Sequence, residues 1–405
     1  MITADMQVHR SISRTLSRCK SILLLWSDLM EKKKSAAKRV GAIVGIILAV
    51  VLGVVIGYFA IKPTSAGSGG SDNMLLLEVA LLLVSLYFSF ALHMILHEGG
   101  HLLGGLLSGY QFTSFRVSKI IFIKENDRLA TKKHNIAGTM GQCLMTPPEQ
   151  ADSDFPFLLY NLSGGLANLL WSGVFLLIYV LLRDAFNYSG VVFIPLIGVG
   201  ALLGASNLIP LRLSGVANDG HNILTLKKSE SARRAFHIVL HMNAKSLKGV
   251  RHKDMPAEWF KLPDDYNDPV SLSIAISYFN LLMDNHDFGA AREFGVKILA
   301  EADKMLEIHK NELRCELLFI EMIGEQRQDE VERLYTNDLK KYMKASGSHL
   351  SKRRIMYAYS KLIALDEAEA EKALDRLNKT FLVYPYKGEL ELERELVDII
   401  DSLGA

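Results

Sequence analysis

The stretch that decides the fold is VALLLVSLYFSFALHMILHEGGHLLGGLLSG, residues 79–109. It is apolar over enough residues to cross a bilayer, yet from its middle onward it carries His93, His97, Glu98 and His101. Ionisable groups in a membrane helix each cost on the order of 2–3 kcal/mol or more unless they are paired, so we expect these to have a function. The alternative is a helix end whose polar residues bond to water or to the backbone.

His97, Glu98 and His101 form the pattern H-E-x-x-H. On a helix, the four-residue spacing turns both imidazoles to one face, where they can share a tetrahedral zinc ion. Glu98, about 100° round the helix from His97, can then act as general base toward a water on that ion. His93 lies one turn earlier on the same face and is either a partner of the ligands or a hydrogen-bonded packing residue.

A catalytic zinc ion usually has three protein ligands, so a third must come from elsewhere in the chain. The best candidate is Asp219, in NLIPLRLSGVANDGHNIL at the end of a later apolar segment. Asn218, Asp219 and Gly220 also have the pattern of a helix N-cap with a turn, and this remains an alternative role. His221 is a substitute ligand.

Composition favours a membrane protein, with 49% apolar residues in a chain of 405. Lys and Arg number 46 against 44 Asp and Glu, so no global charge suggests nucleic acid as a partner. Cys19, Cys143 and Cys315 form no C-x-x-C pair, which argues against a disulfide framework and a thiolate zinc site.

Four apolar segments predict a polytopic core: 40–61, 79–109, 157–182 and 191–210. Threading them in and out keeps the basic segments on one side, which by the positive-inside rule places both termini in the cytoplasm. A cleaved signal peptide is the alternative for the first segment, and Met30 is an alternative start to Met1. A compact core of four spans that follows a short basic lead favours a bacterial cytoplasmic membrane.

The predicted fold is mainly α-helical, with a membrane core, a short β-like cytoplasmic loop and a C-terminal helical domain. The loop, FTSFRVSKIIFIKEN and its Gly-rich continuation, predicts one or two strands and a turn, whose edge could accept an extended peptide. From Ser229 onward, helical segments recur at roughly 40-residue spacing, as in tetratricopeptide-type repeats or in an irregular bundle. The predicted division is a basic lead 1–39, an anchor 40–61, a metalloprotease core 74–228, a linker 229–267 and a cytoplasmic helical-hairpin domain 268–405.

The motifs resemble the site-2 protease family of intramembrane zinc metalloproteases. HEGGH at 97–101 matches its H-E-x-x-H, NLIP at 207–210 with Asp219-Gly220 its N-x-x-P and D-G, and SGGLAN at 163–168 its small-residue turn ending in Asn. The resemblance covers about residues 80–225. It implies Zn²⁺ bound by His97, His101 and Asp219, Glu98 as general base, and Asn168 steadying substrate or oxyanion. Gly165 replaces a common Pro, and Pro210 lies several residues further from Asp219 than usual.

The expected function is zinc-dependent cleavage of single-span membrane proteins within the lipid bilayer, by attack of metal-activated water on a peptide bond. The C-terminal helical domain is then a candidate surface for a protein partner. A different class of function is the alternative, in which the chain is a membrane-anchored scaffold that acts through that domain and the metal site is vestigial. A transporter is disfavoured, because four spans without an evident inverted repeat offer little pathway.

Overall fold

The computed structural model describes residues 53, 72–125, 128–134, 140–149, 154–185, 189–213, 216–263, 269–301 and 305–404. The predicted basic lead and the predicted anchor lie outside the described residues, apart from Gly53. The chain divides into two compact units, residues 1–82 with 183–195 and residues 83–182 with 196–405. In the first unit, Leu82 and Val191 form a small buried cluster.

Three long apolar helices cover nearly the same residues as three of the spans predicted from the sequence. They are α1 (Asp72–Leu107), α2 (Phe157–Leu182) and α3 (Ser189–Leu208). Each contains a stretch that is long and apolar enough to cross a membrane. Many of their exposed side chains are large and apolar, for example Leu107 at 81% and Leu181 at 71% exposure, as expected where lipid rather than water surrounds a helix. Three of the four predicted spans are thus present as helices.

Within the second unit, α1 packs on α2 and α2 packs on α3 through small residues. A Cβ atom at Gly100 of α1 would lie 2.7 Å from the Cβ of Ala167 in α2. A Cβ atom at Gly165 of α2 would lie 2.7 Å from Cγ of Leu208 in α3. Glycine at these positions therefore allows the close helix approach that is common in membrane bundles.

Four antiparallel strands follow α1, where one or two strands and a turn are expected from the sequence. They are β1 (Gln111–Val117), β2 (Ile120–Glu125), β3 (Arg128–Lys133) and β4 (Gly141–Thr146), in the order β3-β2-β1-β4. The difference arises at the two edge strands. The β3 sequence RLATKK is largely polar, and β4 pairs with β1 across a long connection, so neither has the local alternation of a half-buried strand.

Past α3, a short hairpin of β5 (Arg212–Leu213) and β6 (Val216–Ala217) leads into α4 (Asp219–Lys228) and α5 (Glu230–Leu247). Two 3₁₀ turns follow, His252–Asp254 and Ala257–Phe260. The C-terminal helical domain then comprises α6 (Pro269–Asp284), α7 (Phe288–Glu301), α8 (Glu307–Ile323), α9 (Gln328–Leu334), α10 (Asn337–Ala345), α11 (Leu350–Ala358), a π-helical turn (Tyr359–Ile363), α12 (Glu367–Phe381) and α13 (Lys387–Leu403). The tetratricopeptide-type repeat stays a prediction.

The segment expected to be a linker, 229–267, differs from the prediction because it contains a packed helix. Ser229 caps α5 by accepting a hydrogen bond from the Ala232 backbone N–H. One side of α5 buries Leu240 with the β4 residues, and another buries Ile238 with Phe260. This helix thus joins the sheet to the C-terminal helical domain.

Candidate metal centre

The H-E-x-x-H residues lie in the last third of α1. His97 and His101 present their rings to one another, with centroids 4.7 Å apart and Nε2 atoms 3.1 Å apart. Glu98 and His101 are buried, and His97 is partly buried. His101 is six residues from the end of α1, which at 1.5 Å per residue places it about 9 Å from that end.

Asp219 is the first residue of α4 and lies beside the two histidines. Its Oδ2 is 3.2 Å from His97 Nε2 and 3.4 Å from His101 Nε2. Asn218 is the N-cap of α4, and its Oδ1 accepts a hydrogen bond from the backbone N–H of His221. The capping role and the ligand role therefore belong to neighbouring residues, and both fit the structure.

The long spacing between Pro210 and Asp219 is accommodated by the hairpin of β5 and β6. Asn218 fixes this hairpin, because its amide nitrogen donates to the carbonyl of Ile209 and its oxygen accepts from the N–H of Leu211. His221, the predicted substitute, has its Nδ1 3.1 Å from the Thr225 hydroxyl and does not belong to the metal-compatible group.

The three side chains have the donor set and the spacing of a zinc site. Zinc bonds of 2.0–2.2 Å in a tetrahedron place the ligand atoms about 3.3–3.6 Å apart, and the three observed separations are 3.1, 3.2 and 3.4 Å. Asp219 Oδ2 is buried, and the Nε2 atoms of His97 and His101 lie 3.2 and 3.4 Å from it. Burial alone would raise the pKa of Asp219, but its hydrogen bonding and charge interactions with His101 and His97 lower it to about 2, so the carboxylate is ionised and suited to a cation. Three protein ligands would leave a fourth position open.

His101 is oriented for metal binding by its second ring nitrogen. Nδ1 lies 2.7 Å from the backbone carbonyl of Tyr160, so it must donate its proton there. Nε2 then has its lone pair available to the metal, the usual arrangement for a metal-binding histidine. Tyr160 is itself fixed, since its hydroxyl donates to the carbonyl of Cys143 in β4 at 2.7 Å.

His97 is oriented through Asn168 and His93. The Asn168 amide is buried between the two rings, with Oδ1 3.2 Å from His93 Nδ1 and Nδ2 3.2 Å from His97 Nδ1. His93 Nε2 lies 2.8 Å from the carbonyl of Leu196 and must donate to it, so the Nδ1 of a neutral His93 needs a donor. Rotating the Asn168 amide by 180° places its NH₂ group against His93 Nδ1, where it donates the hydrogen bond that this nitrogen needs. The amide oxygen then accepts the proton of His97 Nδ1–H, and the lone pair of His97 Nε2 is free for a metal.

Glu98 lies against the edge strand β4. Its carboxylate accepts a hydrogen bond from the backbone N–H of Cys143, and a Cβ atom at Gly141 would lie 2.6 Å from its Oε1. Glycine at this position is therefore required for the carboxylate to occupy its place. Glu98 thus borders the metal-compatible group on one side and the last strand of the sheet on the other.

The residues predicted from the sequence mostly come together. His97, His101 and Asp219 converge, Glu98 is beside them, and Asn168 contacts His97. Gly164, quoted within SGGLAN, is where a Cβ atom would lie 2.8 Å from His97 Cε1, so glycine lets α2 approach the ligands.

Two further groups of the site, the Tyr160 carbonyl and the Cys143 N–H, could not be predicted from the sequence. Backbone N–H and carbonyl groups are common to nearly all residue types, so a residue's identity does not reveal that its backbone takes part in a site. His93, in contrast, could be recognised in the sequence because it lies one helical turn before His97. No protein-family model, curated protein or solved structure matches this chain in the comparisons made.

Proposed function

We propose that this chain is a zinc-dependent intramembrane endopeptidase similar to the site-2 protease family. The observation that carries the proposal is the convergence of His97, His101 and Asp219 from two segments more than a hundred residues apart, with Glu98 beside them. Such a group at the end of a long apolar helix has no evident structural need, since aliphatic residues would pack there at lower cost. Hydrolysis of peptide bonds is the chemistry that this donor set with an adjacent carboxylate performs elsewhere.

In this mechanism Glu98 is the general base. A bound zinc ion would lower the pKa of a water molecule and polarise the carbonyl of the substrate. Glu98 takes a proton from the attacking water and later delivers it to the leaving amine. The hydrogen bond from Cys143 N–H holds the carboxylate in place, and the Tyr160 carbonyl keeps His101 in the tautomer that binds metal.

A substrate of this enzyme is a membrane-spanning segment, which must be held extended to expose its peptide bonds. The sequence pointed to residues near 115–124 for edge pairing, but β1 and β2 are the inner strands of the sheet. Within the described residues β4 has β1 as its one neighbour strand, and β4 borders Glu98. We therefore assign the extended substrate to the outer edge of β4 beside the base, where it would pair with backbone groups other than those of Cys143, which bond Glu98 and Tyr160.

The proposed setting is a bacterial cytoplasmic membrane with both termini in the cytoplasm. The basic loop that follows α1 and the basic residues Lys227 and Lys228 at the end of α4 support this orientation. The proposed substrates are single-span membrane proteins, cleaved near the cytoplasmic leaflet.

The test compares Glu98→Gln with Glu78→Gln, a matched substitution on the same helix outside the proposed site. Purified full-length protein is expected to hold about one zinc ion per chain in both variants. In cells, intact single-span proteins should accumulate with Glu98→Gln and be cleaved with Glu78→Gln, as measured by mass spectrometry of membrane-protein fragments. Equal fragment patterns for the two variants would contradict the role of Glu98.

The scaffold function is separated by a second comparison. His97→Ala with His101→Ala should abolish both zinc binding and fragment formation. If the double variant instead supports every cellular phenotype of the wild type, the metal site is vestigial and the scaffold explanation replaces the enzyme.

A further inference from the structure

A buried arginine in the sheet lies close to the proposed base. Arg116 of β1 is 0% exposed, and its guanidinium keeps its proton in a folded protein. Burying a charge is costly unless the charge is paired and well bonded. An aliphatic side chain would fill the same place at lower cost, as Ile121 does at the paired position of β2, where it is 1% exposed. The arginine therefore has a role beyond filling space.

The guanidinium of Arg116 joins two backbone segments that lie far apart in the sequence. Its Nη1 donates to the carbonyl of Ser118, in the turn between β1 and β2, at 2.8 Å. Its Nη2 makes a longer contact of 3.4 Å with the carbonyl of Gly141, the first residue of β4. The N–H of Ser118 also donates to the carbonyl of Met140 at 2.7 Å. Arg116 and this turn together hold the start of β4 in place.

The start of β4 is the part of the sheet that contacts Glu98. A Cβ atom at Gly141 would lie 2.6 Å from Glu98 Oε1, and the N–H of Cys143 donates to the same carboxylate. The charge of Glu98 also reaches the arginine. Burial lowers the pKa of Arg116, while interactions with Tyr386 and Glu98 raise it. The base is thus linked to Arg116 through the backbone of β4 and through its charge.

We propose that Arg116 is a positioning residue for Glu98. Its guanidinium holds the first residues of β4, so that the Gly141 backbone and the Cys143 N–H fix the orientation of the carboxylate. The consequence for catalysis rests on the proposed function, whereas the orientation of the carboxylate can be measured without it. The alternative is that Arg116 only fastens the strands of the sheet to one another.

The first experiment follows the Cys143 N–H itself. The chain has three cysteines, so ¹⁵N-cysteine labelling of the full-length protein in detergent isolates this group, and Cys143→Ser assigns its NMR signal. Arg116→Met should speed exchange of the Cys143 N–H with D₂O at least tenfold, because its hydrogen bond to Glu98 is no longer held. The N–H of Cys315, a fully buried residue of α8, should exchange at the wild-type rate and so reports on overall stability.

Arg128→Met is the matched control, since Arg128 is an exposed arginine of β3 in the same sheet. It should leave the exchange rate of the Cys143 N–H unchanged. Wild-type exchange in Arg116→Met would overturn the proposal, and so would equal acceleration at Cys143 and Cys315. Should Arg116→Met fail to fold, Arg116→Lys replaces it. A single ammonium keeps the charge but cannot reproduce the fork of the guanidinium, and exchange should then rise at least threefold.

A double-variant cycle separates the positioning of Glu98 from the fastening of the sheet. Glu98→Ala removes the acceptor of the Cys143 N–H. If Arg116 acts through that contact, adding Arg116→Met to Glu98→Ala should change the exchange rate less than threefold. If Arg116 only fastens the strands, the two substitutions should multiply their effects, and that result would overturn the proposal.

The consequence for catalysis is measured separately. Arg116→Met should bind about one zinc ion per chain with a Kd within twofold of wild type, because Arg116 is not a member of the metal-compatible group. It should lower the formation of membrane-protein fragments in cells at least tenfold, and Arg116→Lys should recover part of this loss. Faster Cys143 exchange with wild-type fragment formation would overturn the catalytic role. If the wild type forms no fragments, the proposed function fails, and the exchange measurements still decide whether Arg116 positions Glu98.

Discussion

Replacing Asn168 by alanine should weaken zinc binding by 10- to 100-fold, although Asn168 is not a ligand. In the described structure the Asn168 amide is the one side chain that joins His93 to the proposed ligand His97, with both contacts at 3.2 Å. Without it, His97 loses the hydrogen bond that fixes its ring orientation and its tautomer. Loss of such a partner typically costs 10- to 100-fold in metal affinity, which corresponds to about 1.4–2.8 kcal/mol.

Asn168→Asp should retain more of the zinc affinity than Asn168→Ala. A carboxylate oxygen can still accept the proton of His97 Nδ1, which maintains the tautomer that binds metal. It cannot donate to His93, so the loss on that side of the network remains. The expected order of zinc affinity is therefore wild type, then the Asp variant, then the Ala variant.

The assay is competition for zinc between a chromophoric chelator and the purified full-length protein in detergent. Wild-type zinc affinity in Asn168→Ala would refute this reasoning. A loss of cleavage without a change in zinc Kd would instead support the role implied by the family resemblance, in which Asn168 steadies the substrate or the oxyanion.

Three further predictions test other parts of the structure. Gly164→Ala should lower zinc content at least tenfold, because the new methyl group would meet both imidazoles, whereas Gly173→Ala on the same helix meets nothing within 4 Å and should bind zinc normally; metal analysis of both purified variants checks this. Burial raises the pKa of Glu389 to about 7 from 4.5, so the folded state binds the extra proton and loses stability as the pH rises through that window. Between pH 4.5 and 7.5 this carboxyl should lower the free energy of unfolding of the wild type by roughly 3 kcal/mol. Glu389→Gln should abolish that decrease, as measured by denaturant unfolding at the two pH values. Arg354→Met leaves the buried carboxylate of Glu393 and the partly buried one of Glu316 without their shared partner, which should lower the free energy of unfolding by about 3–5 kcal/mol. Arg333→Ala is the control, since the exposed ion pair of Arg333 should be worth less than about 1 kcal/mol.

The sequence was sufficient to predict those features that depend on residues close together in the chain, such as long apolar helices and pairs of residues at helical spacing. The apolar runs predicted α1, α2 and α3, and the H-E-x-x-H spacing predicted that His97 and His101 share a face. Asp219 required one more step, the threading of the spans, which brings the ends of α1 and α3 to the same side of the membrane. That argument depends on charge distribution along the whole chain, so it gives proximity without giving distances.

Features that depend on distant pairing could not be read from the sequence. The edge strand β4 pairs with β1, and its sequence GQCLMT has no alternation that separates it from a loop. Arg116 is fully buried in β1, although arginine in a sequence normally indicates a surface position. The helix in the supposed linker did leave a signal, with Ser229 as a cap and Ala235, Ile238 and Met242 at helical spacing.

One face of the sheet packs against the C-terminal helical domain, and this contact limits how that domain can be studied by deletion. Ile121 and Ile123 of β2 are each 1% exposed, because they are covered by Leu350, Leu377 and neighbouring residues of that domain. Deleting the domain would expose both isoleucines to water on the sheet that supports Glu98. A shortened chain would therefore report on misfolding of the half that carries the candidate metal centre, and point substitutions on the outer faces of the helices are the cleaner way to test a partner-binding role separately from the proposed activity.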